Sequence, residues 1–320
     1  MNLALFSGAG GASLGIHRAI PDTPVVGIDN DWGSCRTHTA AGMPTIRADV
    51  TQYPTDPFDD RVQGLWCSPP CPDFSQAGLR KGVTGDTGRL IYEALGWALK
   101  LTPEWIVFEQ VPDVLPFWIQ FAHDLEKRDY STWTGILNCA DYGIPQTRQR
   151  AILIASRVHL IEPPKPTHAK TVRPTIFGPD LLPWVSMSEI LGWAPDDEMI
   201  YHRGAGMIKR HGTRPGRKAT EPSFTITASG SGGGAGIKFR HVLAPNSSRQ
   251  PDSDGGTESV LLTQNELAIL QGFPPDFPFR GNKTSVGRQI GNAVPPDFAE
   301  ACVRAAAGLT KFGVGSRWPR

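Results

Sequence analysis

The fold class of this chain is decided by the stretch Asn2-Leu3-Ala4-Leu5-Phe6-Ser7-Gly8-Ala9-Gly10-Gly11. Residues 2–6 are mostly apolar, which predicts a buried strand, and the glycines after them suit a tight turn into a helix that runs to about Ile20. Such a turn lets a ligand approach the backbone closely at the carboxyl end of the strand. It is not a dinucleotide fingerprint, because Ser13 stands where that pattern needs a third glycine. A tight turn without a ligand is the open alternative for this stretch taken alone.

Strands and helices alternate outward from this stretch through the first half of the chain. Apolar runs predict further strands at 24–28, 63–67, 104–108, 131–138 and 151–155. Helical patterns are found at 32–41, about 90–99 and 114–125. This alternation predicts an α/β fold with a mostly parallel sheet that is covered on both faces.

The second half of the chain is less regular. After about residue 157, prolines and glycines interrupt short elements over about a hundred residues, which indicates a second, smaller domain. Regular structure returns in two predicted helices, at 262–271 and from Pro296 to about Leu309. In the first of these, Thr263 is the predicted N-cap and Glu266 completes a capping box.

The composition of the 320 residues is that of an ordinary globular protein, with 39% hydrophobic and 20% charged residues. Without an apolar run of 18 residues or a basic leader, neither a membrane span nor a secretory signal is expected. The five cysteines are scattered and contain no CxxC pair, which argues against a disulfide framework and a structural zinc site. We therefore expect no metal and a reducing, cytoplasmic location.

Charge is distributed unevenly along the chain, although the net charge is only +1. Residues 200–250 contain nine basic side chains and a single acidic one, Glu221. Such a local excess is a candidate footprint for a polyanion. A solvated basic face with no partner is the alternative.

Side chains suited to chemistry lie at or near the ends of the predicted strands. Asp29 and Asp49 suit ribose hydroxyls, so a ligand with a ribose but no pyrophosphate fits, and S-adenosylmethionine is such a ligand. Glu109 ends a buried strand, where a partly desolvated carboxyl group can act as an acid. On an extended chain, Arg148 and Arg150 point to the same side and could face one anionic or carbonyl-rich ligand. Capping carboxylates and surface ion pairs are the alternatives for these residues.

Cys71 follows two prolines and precedes a glycine-rich, basic loop at 75–89. Proline restricts the backbone, so this thiol is held rigidly beside a loop that could close over a nucleic acid. The motif is typical of a nucleophile, but an isolated cysteine is more often an inert buried residue. The residues around Cys71 leave both interpretations open.

These pieces, in this order, resemble the cytosine-C5 DNA methyltransferase family nearly from end to end. LALFSGAGG is similar to the family's cofactor motif, SPPCPDFSQAG to its nucleophile motif and EQV to its glutamate motif. DYGIPQTRQRAILIA is similar to the arginine motif, and the two C-terminal motifs are matched by LTQNELAILQGFPPDF and QIGNAVPPDFAEA. The resemblance implies a Rossmann-like class I methyltransferase domain of bacterial or phage type, with S-adenosylmethionine as methyl donor and duplex DNA as substrate.

The resemblance also implies a mechanism and the roles of four residues. Cys71 attacks C6 of a cytosine that is flipped out of the duplex, which makes C5 nucleophilic, and C5 then takes the methyl group. Glu109 holds or protonates N3 of the base. Arg150 binds the cytosine O2, and Arg148 supports the site. Loss of the C5 proton and expulsion of Cys71 restore the ring.

The resemblance further implies binding residues and domain boundaries. The implied cofactor residues are Phe6, Gly8, Ala9, Gly10, Gly11, Asp29, Asn30, Asp49, Val50, Pro70, Asn292 and Ala293. The predicted DNA contacts are Gln76, Arg80, Lys81, Arg89, Thr225, Thr227 and Arg240. The predicted domains are a catalytic and cofactor-binding domain at 1–156, an irregular target-recognition domain at 157–260, and a C-terminal part at 261–320 whose last helix returns to the first domain.

The chain departs from the family pattern at four positions. Ala4 stands where the family usually has Asp, Asp29 where it has Glu, Pro72 where it has Gln, and Gln110 where it has Asn. None of these departures removes a reacting group, so we expect activity. The rival functions are a transfer-RNA cytosine-C5 methyltransferase and a DNA-binding protein with a weak, relic active site. We expect a monomer, with a restriction endonuclease for the same site as a candidate partner.

Overall fold

The computed structural model describes residues 1–70, 85, 88–172, 181–202, 216–228, 238–243 and 259–309. The strands among them are β1 Asn2–Leu5, β2 Val25–Asp29, β3 Thr45–Arg47, β4 Gly64–Cys67, β5 Trp105–Gln110, β6 Ser131–Asn138, β7 Gln149–Ser156, β8 His168–Ala169, β9 Leu182–Pro183, β10 Glu198–His202, β11 Arg217–Lys218, β12 Lys238–Val242 and β13 Ser259–Leu261. The α-helices are α1 Gly11–Ala19, α2 Trp32–Ala40, α3 Ile91–Leu101, α4 Leu115–Glu126, α5 Met187–Leu191, α6 Gln264–Leu270, α7 Lys283–Asn292 and α8 Pro296–Ala306.

The central feature is a seven-stranded sheet with the order β3-β2-β1-β4-β5-β7-β6. Neighbours from β3 to β5 run parallel, whereas β7 runs antiparallel to both β5 and β6. All four residues of β1 are buried, which explains the apolar run that predicted this strand. The structure confirms the predicted α/β fold with a mostly parallel sheet. The antiparallel direction of β7 is an addition that its apolar sequence did not reveal.

A switch in strand order locates the ligand crevice of this sheet. The chain passes from β1 outward to β2 and β3, and then returns to place β4 on the other side of β1. Ligands of open α/β sheets bind outside the carboxyl ends of the strands at such a switch point. The loop after β1 and the segment after β4 therefore lie at the carboxyl ends where a ligand is expected.

The described residues divide into two compact units. The first comprises 1–138, 149–165 and 296–309, and the second comprises 139–148 and the described residues of 166–295. The second unit contains a four-stranded antiparallel sheet, β11-β10-β12-β13, and the short parallel pair of β8 and β9. Its core includes Met187, Ile226, Phe273 and Ile290, which are fully buried or nearly so. The functional domain boundaries stay predictions, because a division by contacts does not assign functions.

The helices of the C-terminal part begin at well-defined caps. Thr263 and Glu266 form the predicted capping box at the start of α6. The helix α7 was not predicted, since its sequence KTSVGRQIGN is polar and contains two glycines that weaken a helical pattern. Asn282 caps it by accepting a hydrogen bond from the Ser285 N–H. In the described part of the chain, none of the helices has the length and apolar character needed to cross a membrane.

The final helix α8 packs closely against α1 within the first unit. A Cβ atom added at Gly15 would lie 2.5 Å from the Pro296 carbonyl oxygen, 2.6 Å from the Ala299 Cβ and 2.8 Å from the Glu300 nitrogen. Arg18 and Asp297 add an ion pair between the same two helices. The contact therefore requires glycine at position 15, because two of the three atoms belong to the backbone of α8.

Gly15→Ala and Gly96→Ala are expected to change stability in opposite directions. Gly15→Ala should lower the free energy of unfolding by about 1–3 kcal/mol, because α8 must move to accept the methyl group. Gly96 lies in α3, and outside its own helix no atom of the described residues lies within 4 Å of an added Cβ. Its replacement by alanine should raise the free energy of unfolding by about 0.5–1 kcal/mol. Denaturant unfolding of the full chain measures both, and a stabilising Gly15→Ala would contradict the close contact between α1 and α8.

Candidate active site

The loop between β1 and α1 has an unusual backbone. Phe6, Gly8 and Gly10 have positive φ angles of 54°, 55° and 99°. Gly10 is the N-cap of α1, and a Cβ there would lie only 2.5 Å from the Met43 Cε. By contrast, beyond its two chain neighbours, none of the described residues has an atom within 4 Å of a Cβ added at Gly8. Strain at a non-glycine residue and open space beside the backbone are typical of a ligand-binding loop.

The Asp29 carboxylate fastens the end of β2 to this loop. One of its oxygens accepts the Gly8 N–H at 2.9 Å, and the other accepts the Asp31 N–H at 2.8 Å. Burial raises the pKa of the Asp29 carboxyl group above its ordinary value, while the N–H groups of Asp31 and Gly8 act in the opposite direction. Asp29 thus already has a structural role, and its predicted contact with a ribose is an additional one.

The other predicted cofactor residues lie at several places in the two units. In the first unit, Asp49 accepts hydrogen bonds from the N–H and hydroxyl of Thr51, and the buried Val50 accepts one from the Trp97 indole. Of the remaining cofactor residues in that unit, Ala9 and Gly11 are buried, Asn30 is exposed and Pro70 follows β4. Asn292 and Ala293 belong to the second unit, at the end of α7. Their part in a common cofactor pocket stays a prediction.

His38 supports the glycine loop and was not recognised from the sequence. Its ring is fully buried, with Nδ1 2.8 Å from the Thr45 hydroxyl and Nε2 2.8 Å from the Ser13 hydroxyl. Thr45 donates its own proton to the Met43 carbonyl oxygen, so Nδ1 of the neutral imidazole donates and Nε2 accepts. A Cβ at Gly10 would lie 2.9 Å from the His38 ring. The imidazole therefore occupies space that a glycine in the loop leaves open.

The stability of the protein is expected to fall in mild acid because of His38. Burial lowers the pKa of His38 from its ordinary 6.5 to about 4. The unfolded chain therefore takes up a proton that the folded protein excludes, so stability is complete above pH 6.5 and declines as the pH falls toward 4. The expected loss in the free energy of unfolding is about 3 kcal/mol. Unfolding measured across this range should lose that dependence in His38→Gln but keep it in His17→Gln, which changes an exposed histidine. Identical profiles for wild type and His38→Gln would contradict the assignment.

An exposed aromatic ring lies beside the acids that follow β2. Trp32 is 58% exposed, and the Arg47 guanidinium lies over its ring at 5.2 Å from the centroid. Arg47 is the last residue of β3 and pairs in register with Asp29. An indole at this edge of the sheet is suited to stacking against a planar ring of a ligand. The aromatic residue directly after the Asp29–Asp31 acids was the signal in the sequence that could have identified it.

Glu109 and Arg150 form a largely buried ion pair at the carboxyl end of β5. The Arg150 Nε lies 2.8 Å from the Glu109 Oε1, and the side chains are only 12% and 9% exposed. β5 and β7 pair antiparallel, which brings Glu109 opposite Ile152 and so places it near Arg150. The described residues leave the second Glu109 oxygen without a partner. The pair thus combines a fixed carboxylate with a free oxygen, which suits a group that binds a base edge.

Gln110 ties β5 to the segment that leads to Cys71. Its side-chain N–H donates to the Pro69 carbonyl at 2.6 Å, and its side-chain oxygen accepts the Val111 N–H at 2.6 Å. Gln110 is buried, so these bonds are protected from water. The departure from the family's usual Asn is therefore a residue that holds the backbone two positions before Cys71.

Cys71 itself lies outside the described residues, as do Gln76, Arg80 and Lys81. The four described cysteines, at 35, 67, 139 and 302, are all buried. Burial raises the pKa of the Cys67 thiol well above its ordinary value and that of Cys35 to about 11. Since the thiolate is the reactive form, neither of these two thiols is suited to be a nucleophile.

Arg148 has different partners from Arg150. It is buried in the second unit, where it donates to the Ile226 carbonyl at 2.9 Å and to the Gly291 carbonyl at 3.2 Å. In the described structure its guanidinium group holds two backbone segments together. The sequence predicted that both arginines could face one ligand. In the structure, each of them binds different residues of the protein.

Four of the predicted DNA-contact residues lie in the described part of the chain, in three different elements or segments. Arg89 is exposed in the short 3₁₀ helix Gly88–Leu90, and Arg240 lies on β12, paired with Ile200. Thr225 and Thr227 are both partly exposed. The Thr225 hydroxyl donates to the Thr147 carbonyl at 2.8 Å, so this side chain is already bonded within the protein.

Comparison with known proteins gives a consistent result over nearly the whole chain. The family model for C-5 cytosine-specific DNA methylases matches residues 1–307. The type II methyltransferase M.NgoFVII of Neisseria gonorrhoeae is 30% identical over 92% of this chain and 83% of its own length. M.MthTI of Methanothermobacter thermautotrophicus is 27% identical over 93% and 94% of the two chains. The crystal structure of the S. pombe Dnmt2 methyltransferase has the same fold, with a TM-score of 0.68 at 17% identity over 97% of this chain and 99% of that one.

Proposed function

Because the chain belongs to the C-5 cytosine-specific DNA methylase family, we propose that Cys71, Glu109 and Arg150 methylate C5 of a cytosine flipped out of duplex DNA. The enzyme is a cytosine-C5 methyltransferase that uses S-adenosylmethionine as methyl donor. The ion pair between Glu109 and Arg150 is the observation that supports the roles we assign to these two residues. It places a carboxyl group and a guanidinium group together: the carboxyl group, in its protonated form, can donate to N3 of cytosine, and the guanidinium group can donate to O2.

Glu109 acts on N3 of the base. Attack of a thiolate on C6 moves electron density into the ring, and a proton or hydrogen bond at N3 stabilises the resulting intermediate. The Glu109 oxygen that does not bind Arg150 is the atom that reaches the base. Arg150 holds the Glu109 carboxyl group through its Nε and donates from one Nη to the Gln149 carbonyl at 2.7 Å, and we assign the binding of O2 to its other N–H groups.

Arg148 supports the site indirectly. Its bonds to Ile226 and Gly291 hold the backbone of the second unit, so it is a positioning residue. The family resemblance implies a supporting role for Arg148, and these two bonds are the observation that supports this part of the proposal.

Cys71 supplies the nucleophile. The family motif places it there, and the buried state of the described cysteines leaves it as the thiol best suited to react. The bond from Gln110 to the Pro69 carbonyl restrains the approach of the chain to Cys71. Expulsion of the Cys71 thiolate, after a base removes the C5 proton, restores the aromatic ring.

The cofactor binds at the carboxyl ends of β1 to β4. The loop Phe6–Gly11 provides open backbone, Asp29 and Asp49 face the ribose, and Val50 and Pro70 line the adjoining surface. Asn292 and Ala293 stay cofactor residues that the family resemblance implies. When bound, S-adenosylmethionine supplies an activated methyl group.

Methylation assays on duplex DNA and on transfer RNA test this function. Bisulfite sequencing of DNA from cells that express the chain should show 5-methylcytosine at one sequence motif, and purified enzyme should modify that duplex in preference to transfer RNA. Preferential modification of transfer RNA would favour the RNA methyltransferase instead. Duplex binding without any methylation would favour a relic active site.

The name type II for the curated relatives supports a further proposal about partners. We infer that the enzyme acts as a monomer in the cytoplasm, where its DNA substrate lies, and protects a site that a cognate restriction endonuclease cuts. A plasmid methylated in this way should resist that endonuclease at every mapped site.

A further inference from the structure

Arg217 is one of the nine basic residues that suggested a polyanion footprint, yet its guanidinium group is bound within the protein. Its Nη1 lies 2.6 Å from the Thr147 hydroxyl, 3.1 Å from the Pro222 carbonyl and 2.8 Å from the Ser223 carbonyl. The guanidinium carbon also lies 4.4 Å from the centre of the Phe224 ring. Nη1 makes all three of these polar contacts and has only two hydrogens to share among these oxygens, so its donors are used within the protein and are not available to a phosphate.

The segment 222–228, which Arg217 binds at its start, is also held by residues of the arginine motif. Gln146 accepts the Ile226 N–H at 3.0 Å, and Arg148 donates to the Ile226 carbonyl at 2.9 Å. A parallel bridge joins Gln146 to Ser223. Gln146, Arg148 and Ile226 are buried, so the two segments form one connected unit of structure.

The same segment ends at the residues proposed to contact DNA. Within it, Ile226 is buried while Thr225 and Thr227 on either side are partly exposed. The positions of Thr225 and Thr227 therefore depend on the contacts that hold Ile226 and the start of the segment in place. Arg217 binds the start of the segment at Pro222 and Ser223, and binds Thr147 at the same time.

We propose that Arg217 is a positioning residue for target discrimination, which fixes the recognition segment 222–228 against the Gln146–Arg148 stretch. The inference rests on the proposed function, because it assumes that this segment faces the DNA. Base readout requires a fixed geometry, whereas attraction to phosphates depends mainly on charge. Loss of Arg217 therefore reduces discrimination between the target and near-target sites, and leaves the salt dependence of duplex binding unchanged.

Lys218 is a matched control for the charge of Arg217. It follows Arg217 on β11 and is exposed, so its replacement by alanine takes away one positive charge and keeps the Arg217 contacts with the segment 222–228. Arg217→Lys is the complementary variant, because it keeps the charge but lacks the planar group with five donors.

The experiment compares Arg217→Ala, Arg217→Lys and Lys218→Ala with the wild type. The readout is kcat/KM on a duplex with the site mapped by bisulfite sequencing, divided by kcat/KM on the same duplex with one base pair changed. Both Arg217 variants should lower this ratio by about tenfold, and Lys218→Ala should keep it. The slope of duplex affinity against salt should stay at the wild-type value in Arg217→Ala.

Two results would overturn the inference. One is an unchanged ratio in both Arg217 variants, and the other is a flatter salt slope in Arg217→Ala, which would make Arg217 a phosphate contact. S-adenosylmethionine affinity, measured by calorimetry, verifies that the variants are folded, and loss of folding in both would make Arg217 purely structural. The variant Thr227→Val distinguishes the role of Arg217 from the recognition role of the segment 222–228. If it changes the ratio while the Arg217 variants do not, only the role of Arg217 fails. If neither changes it, the recognition role of the segment fails.

Discussion

Replacing Cys71 with serine is expected to lower turnover by at least ~10⁴-fold and to abolish the covalent complex with duplex DNA that contains 5-fluorocytosine. A serine hydroxyl is a far weaker nucleophile than a thiolate at neutral pH, so attack on C6 stops. With fluorine in place of hydrogen at C5, a base has no proton to remove after methyl transfer, so the thiolate is not expelled and the wild-type enzyme should remain covalently bound to the methylated base. The complex is measured as a band on a denaturing gel.

Cys67 is the matched control for Cys71. It lies four positions earlier, directly before the nucleophile motif, but it is fully buried at the end of β4, and burial raises the pKa of its thiol. Cys67→Ala should therefore still form the complex, although the small cavity lowers stability. If Cys71→Ser forms the complex or Cys67→Ala loses it while folded, the assignment of the nucleophile is wrong.

Replacing Glu109 with glutamine is expected to lower turnover by about 10²–10⁴-fold while duplex affinity changes little. The amide keeps the shape of the side chain, but it cannot deliver a proton to N3 and it leaves Arg150 without its charge partner. The loss should appear in kcat, because the interaction with N3 strengthens as the intermediate forms. Single-turnover methylation and equilibrium binding measure the two quantities separately.

Glu104→Gln is the control for this experiment. Glu104 is exposed just before β5, at the opposite end of the strand from Glu109, where it binds the Gln63 side chain. It should keep wild-type turnover. Equal losses of turnover and of binding in Glu109→Gln would mean that Glu109 is structural rather than chemical.

Much of the first unit could be predicted because its local pattern agrees with its tertiary structure. The predicted strands at 63–67 and 104–108 correspond to Gly64–Cys67 and Trp105–Gln110. These strands are buried on both faces, so their apolar runs are long and continuous. The helix Lys283–Asn292 was missed for the opposite reason, because its polar and glycine-containing sequence depends on its cap and on packing.

Hydrogen bonds between residues far apart in the sequence could not be predicted from the sequence. Gln110 looked like a departure from a motif until its bond to Pro69, 41 residues earlier, became visible. Arg217 looked like part of a basic footprint, and its partner Thr147 lies 70 residues away. A residue type states which bonds a side chain can make, whereas the fold selects the partners that are present.

The amino-acid order alone was sufficient for the fold class, the cofactor and the reaction, because these depend on short motifs in a set order, and the same motifs make Cys71 and Glu109 the predicted reacting residues. The hydrogen-bond and ion-pair partners of the side chains could be identified only in the folded structure. It showed that Glu109 is held by Arg150, that Arg148 binds the backbone of the second unit, and that His38 lies beneath the glycine loop. Such contacts are made between segments brought together by burial of the core, so no local pattern in the chain records them.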